Sequence, residues 1–144
     1  MTFWLLYYHI VWGTKNREPY ITPAHDEMIQ RSIRLNCRHY SALVHAIGVM
    51  PDHVHLAVSI PPSVSLSDFM HRIKGASSRL LRESGGFREF YWRPEYGAIS
   101  FHEDLLPKIV GYVLNQRQHH DAENQLRPRL EITTRPYNPE RESP

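Results

Sequence analysis

Met50-Pro51-Asp52-His53-Val54-His55-Leu56-Ala57-Val58 is the run on which the fold turns. Its alternation predicts a strand from His53 onward: successive side chains point to opposite faces, so His53 and His55 share one face while Val54, Leu56 and Val58 enter a core. Leu43 to Val49 reads as a second strand, and Met50-Pro51-Asp52 supplies turn chemistry between the two, which predicts an antiparallel hairpin. Two imidazoles on one face form a claw suited to a divalent transition metal, with oxygen ligands to complete the shell and positions left for a substrate. A His-x-His pair also arises by chance on ordinary strands, so the claw alone identifies no reaction.

Outward from the hairpin, residues 3 to 13 are aromatic and β-branched and predict a first strand, closed by a turn from Gly13 to Pro19 that exposes Lys15 and Arg17. Thr22 caps a helix with Pro23 at its first position and Asp26 and Glu27 near its positive end; it runs to about Tyr40 and buries Met28, Ile29, Ile33 and Cys37. Pro61-Pro62 ends the histidine strand. A second helix follows from about Ser65 to Glu83, with Leu66, Phe69, Met70, Ile73, Ser77 and Leu80 inward and Arg72, Lys74, Arg79 and Arg82 largely outward. After Gly85-Gly86, Tyr96 to Phe101 reads as a strand, and Asp104 caps a last helix with Pro107 in its first turn. Strand, helix, strand, strand, helix, strand, helix suits a ferredoxin-like α+β sandwich, an antiparallel sheet with packed helices.

The 144 residues fit one domain, expected over 1–124, with a tail over 125–144 whose prolines and charges predict an extended or disordered segment. The single cysteine, Cys37, excludes an intramolecular disulfide and a cysteine-based zinc site, which points to the reducing cytoplasm and to a buried thiol. The apolar start, Phe3 to Tyr8, is far shorter than the eighteen or so residues of a membrane span, so no membrane association is expected. A net charge of +2 and a pI near 8.8 lean toward nucleic acid only weakly, and the placement of the cations matters more than their sum.

Val110-Gly111-Tyr112-Val113-Leu114-Asn115-Gln116 then sets a tyrosine four positions before a glutamine. At roughly 100° per residue Tyr112 and Gln116 lie about 40° apart on one helical face, beside an apolar stripe of Leu106, Ile109, Val110 and Val113. A candidate nucleophile and a candidate third ligand therefore project together. His-hydrophobic-His on a strand followed by Tyr-x-x-x-Gln on a late helix resembles the single-tyrosine HUH transposases of the smallest bacterial insertion sequences, REP-associated tyrosine transposase relatives included. Tyr8 to Arg17, Lys74-Gly75-Ala76-Ser77-Ser78 and Trp92 to Ser100 resemble the same family, and the likeness spans roughly residues 3 to 120.

The resemblance implies an HUH endonuclease fold and a transposase that cleaves and rejoins single-stranded DNA at hairpins on the ends of its element. Tyr112 would be the nucleophile, leaving a 5′-phosphotyrosine and a free 3′-hydroxyl. His53, His55 and Gln116 would hold Mg²⁺ or Mn²⁺, which offsets charge on the scissile phosphate. Lys15, Arg17, Lys74, Arg79 and Arg82 are candidate phosphate contacts and Trp92 a candidate stacking residue. A homodimer is implied, with the tyrosine helix of one subunit completing the partner's site in several relatives. The proton acceptor for Tyr112 stays open among Asp52, His102 and His119. Three readings compete with an active transposase: a domesticated relative with the same chemistry, a non-catalytic binder of hairpin DNA, and a metal hydrolase that forms no covalent intermediate. After the tyrosine helix only a short tail remains, which puts in doubt any contacts that longer relatives make there.

Overall fold

Four alternating segments pair into one antiparallel sheet: β1 (Tyr7–Gly13), β2 (Leu43–Val49), β3 (His53–Ser59) and β4 (Gly97–Phe101), in the spatial order β2-β3-β1-β4. A computed structural model describes residues 2–116 of the chain. Helix α1 (Pro23–His39) joins β1 to β2, α2 (Leu66–Glu83) joins β3 to β4, and α3 (Leu106–Leu114) follows the last strand. This is the ferredoxin-like α+β sandwich predicted from the alternation and the turn residues. His119 and the predicted tail over 125–144 lie outside the described residues. Among those residues no helix is long and apolar enough to cross a membrane.

Strand alternation decides which helices go where. Ile10 and Trp12 of β1, Ile47 and Val49 of β2, and Val54, Leu56 and Val58 of β3 face Ile29, Ile33 and Cys37 of α1 and Phe69, Met70, Ile73 and Leu81 of α2 in the main core. The opposite face carries both claw histidines and is covered by α3 through a smaller cluster of Ala46, Ala57, Ile109, Tyr112 and Val113. The histidines are thus anchored from behind by a close-packed layer. α1 starts as its residues dictate, with the Thr22 side chain accepting from the His25 amide and Pro23 in the first turn. Burial pushes the Cys37 thiol up to about 12. A thiol reagent at pH 8 should therefore label Cys37 only as fast as the chain unfolds, and rapid labelling of the folded protein would disprove that packing.

The elements depart from expectation in four places. β1 begins at Tyr7 rather than residue 3, because its partners run out: Tyr8 lies opposite Val58 and Tyr7 opposite Phe101, where β4 ends, and after Ser59 the β3 chain leads into Pro61-Pro62, which offer no ladder donor. Leu81 rather than Leu80 is the deeply buried leucine of α2, in the i+4 row that runs from Ile73 through Ser77. Asp104 does not cap α3. It sits in a 3-10 turn, Glu103–Leu105, whose own cap is the His102 ring accepting from the Asp104 amide at 3.2 Å. Trp92 is not an exposed stacking surface: it is 8% exposed, packs on Trp12 and Phe90, and donates its indole N–H to Ser77 Oγ at 2.9 Å.

Candidate active site

The claw forms as predicted and is held more tightly than its two histidines suggest. His53 and His55 are almost completely buried, with ring centroids 5.0 Å apart in an edge-on arrangement. His53 Nδ1 lies 2.6 Å from Asp52 Oδ1. A carboxylate only accepts, so Nδ1 carries the hydrogen and Nε2 of the neutral ring is left as the lone-pair nitrogen. The His53 hydrogen bond, the largest influence, holds the Asp52 carboxyl below the usual carboxylate range against the opposing effect of burial, with smaller electrostatic help from His53 and then Arg17.

Arg17, expected to be exposed, instead reaches Asp52 Oδ2 with Nε at 3.2 Å and is only partly accessible. Its backbone is left-handed, φ 56°, as is that of Asn16, φ 58°. For a non-glycine residue such as Arg17 this conformation is strained. The Arg17 amide donates to Thr14 O, and Thr14 donates its amide to Asp52 O at 2.9 Å. The end of β1 and the hairpin turn are thereby locked together around the carboxylate that orients His53.

A third histidine joins the site. Pairing of β1 with β3 sets Val11 opposite His55 and His9 opposite Ala57, so His9 shares the claw's face. His9 Nε2 lies 2.9 Å from His55 Nδ1, and the two rings stack with centroids 5.1 Å apart. Sequence reading includes His9 in a family-like stretch without giving it a role. The signal was an imidazole in mid-strand on the side opposite Ile10 and Trp12, yet only the strand register shows that it meets His55.

Tyr112 comes down on the same face. It is 4% exposed, and its ring stands edge-on to His9 and His55 at centroid distances of 5.9 and 5.7 Å. Gln116 follows one turn later, 2% exposed, with Nε2 donating to the Tyr112 carbonyl at 2.9 Å. Because that carbonyl only accepts, the amide nitrogen must face it, and Oε1 is the other end; it is buried with no hydrogen-bond partner among the described residues. Gly48 permits this approach. It pairs with His55, and a Cβ there would lie 2.3 Å from Val113 O and 3.4 Å from Gln116 Cγ.

Among the described residues no three His, Cys, Asp or Glu side chains group to hold a metal, and the Gln116 amide oxygen is a further buried donor of a different type beside the claw. The donors fit that role: both claw rings have Nδ1 engaged and present Nε2, and the buried amide oxygen would gain a partner. Two imidazoles and one amide oxygen are a donor set that a divalent cation could take.

The proposed DNA contacts divide. Lys15 is exposed and Arg17 half-buried in the turn beside the claw. Lys74, Arg79 and Arg82 are on α2, in the layer across the sheet from α3. Burial lowers the pKa of Lys74, and its ammonium is shared among the carbonyls of Arg93, Pro94 and Glu95. Arg82 donates to Phe90 O and lies over the Tyr91 ring, while Arg79 is exposed and borders an open trough with His71 and Arg72. His102 serves its local turn and is 70% exposed, so of the three open proton acceptors only Asp52 is seen at the claw.

The sequence model described as "Transposase IS200 like" matches residues 2–116. The transposase for insertion sequence element IS200 of Salmonella typhimurium is 27% identical over 132 residues, which cover 91% of this chain and 87% of that protein. The ISDra2 transposase TnpA of Deinococcus radiodurans is 31% identical over 127 residues, covering 82% and 86%. The crystal structure of a candidate transposase from Deinococcus radiodurans R1 superposes with a TM-score of 0.66 at 25% identity, over 81% of this chain and 95% of that one. A REP-associated tyrosine transposase, solved bound to a REP hairpin, shares the fold with a TM-score of 0.64 at 16% identity, over 83% and 72%. The sheet with its packed helices is the HUH fold.

Proposed function

The chain belongs to the IS200-like transposase family, and from that premise we propose that it cleaves and rejoins single-stranded DNA at hairpins through a 5′-phosphotyrosine on Tyr112. The observation that carries this reading is the packing of the Tyr112 ring against His55, inside a face that also holds His53 and Gln116. Tyr112 Oη attacks phosphorus, the bond to the 3′-oxygen breaks, the phenolic proton leaves and the departing 3′-oxygen takes one up. The phosphodiester energy is kept in the tyrosyl ester, so a later attack by another 3′-hydroxyl rejoins DNA without an outside energy source.

An unperturbed phenol has a pKa near 10 and is a weak nucleophile at neutral pH, so geometry and electrostatics must supply the rate. His53, His55 and Gln116 would hold a divalent cation, Mg²⁺ or Mn²⁺, which would supply positive charge to offset that on the phosphate. Asp52 and Arg17 fix the His53 ring. Lys15 and Arg17 meet the backbone near the cut, and exposed Arg79 meets phosphate on the α2 side, whereas Lys74 and Arg82 are engaged by backbone carbonyls. The catalytic domain extends over residues 1–124, and the protein acts on DNA hairpins as a homodimer.

Single strands from the flanks of the gene, labelled at either end and incubated with protein and Mn²⁺, test the reading on a denaturing gel. A slow-moving adduct that keeps only the 3′-end label, absent in chelator, is the expected product. Cleavage without an adduct would instead indicate water activation, and hairpin binding with no cleavage a binding module.

A further inference from the structure

We propose that His9 is a positioning residue for the claw: its ring accepts the Nδ1 hydrogen of His55 and so selects the tautomer in which His55 presents Nε2. The inference rests on the metal reading of His53, His55 and Gln116 given above. It starts from a polar group where none is needed for packing. His9 is 1% exposed on a strand whose neighbours Ile10, Val11 and Trp12 are all buried, and an aliphatic side chain would fill that site without desolvating an imidazole.

The geometry supplies the reason for its presence. His9 Nε2 and His55 Nδ1 are 2.9 Å apart between rings inclined by only 21°. A neutral imidazole that gives one nitrogen's lone pair to a cation must carry its hydrogen on the other. With the hydrogen of His55 on Nδ1 and donated to His9, Nε2 faces the ligand position, and His9 in turn carries its own hydrogen on Nδ1. Asp52 does the same for His53 through a carboxylate. The two claw rings are thus set by matching partners from two places in the chain, β1 for His55 and the hairpin turn for His53. His9 also stands edge-on to Tyr112, ring centroids 5.9 Å apart at 78°, so the ring that orients His55 also bounds the nucleophile.

The test is Mn²⁺ binding to the full chain without DNA, measured by titration calorimetry, for wild type, His9→Leu, His9→Gln and His53→Ala, with thermal melts run in parallel. Losing an outer partner of a metal-bound histidine typically weakens binding about 10- to 100-fold, and that is the loss expected for His9→Leu at an unchanged or raised melting temperature. His9→Gln, which restores an acceptor, should recover most of it. Wild-type affinity in His9→Leu together with a large loss in His53→Ala would overturn the His9 assignment alone, whereas wild-type affinity in both would overturn the metal reading itself. Should His9→Leu fail to fold, the ¹⁵N shifts of His55 in the Mg²⁺-loaded wild-type protein decide instead: hydrogen on Nδ1 is expected, and hydrogen on Nε2 would refute the proposal.

Discussion

Tyr112→Phe is expected to lower strand cleavage by at least about 10³-fold while leaving the fold and hairpin binding in place. The substitution removes one oxygen. The ring keeps its edge-on contacts with His9 and His55 and its place in the cluster with Ala46, Ala57, Ile109 and Val113, so melting temperature should change little. With no hydroxyl there is no tyrosyl ester, and the energy of the cut bond cannot be stored for rejoining. Cleavage assays, gel-shift with a hairpin and a thermal melt together measure the three quantities. A Tyr112→Phe variant that still cut at near the normal rate would move the nucleophile to water and leave Tyr112 as a packing residue.

A single methyl group on β2 should do nearly as much harm. In Gly48→Ala the new Cβ would stand 2.3 Å from Val113 O and 3.3 Å from Val113 C, a clash with main chain at the C-terminal end of α3 that no side-chain rotation relieves. Either α3 lifts or β2, an edge strand, bends away, by roughly 1 Å to regain an ordinary contact. Overpacking of this kind costs about 1–3 kcal/mol. The larger effect falls on chemistry, because a displacement of roughly 1 Å at a reacting group can cost about 10²-fold in rate. Gln116 Cγ, 3.4 Å from the same Cβ position, would shift with the helix, so Mn²⁺ affinity should drop as well. Normal cleavage and normal Mn²⁺ binding in the alanine variant would show that α3 does not need this close seat.

What could be read in advance was whatever neighbouring residues encode together. Thr22, Pro23 and Asp26 announce the start of α1, Met50-Pro51-Asp52 announces a turn, and alternation through His53, Val54 and His55 sorts those side chains onto two faces with no reference to the rest of the chain. Quantities set between distant elements were not legible. His9 becomes a site residue only through the β1 and β3 register, and β1 loses its first four predicted positions because its partner strands stop. Trp92 looks free until Ser77 and Trp12 are placed around it, and Gly48 looks like an ordinary strand glycine until α3 lies against it. Arg17 has the same history: a loop cation by sequence, it is drawn inward by Asp52 across a separation of thirty-five positions.

Strand order also dictates a timetable for synthesis. β1, the first strand to leave the ribosome, lies between β3 and β4 in the finished sheet, so it has no pairing partner until the β2 and β3 hairpin has been made. That hairpin is local and brings His53 and His55 together early, whereas Tyr112 and Gln116 arrive on the last described helix. A nascent or truncated chain therefore carries both claw histidines before the helix that brings Tyr112 and Gln116 to them.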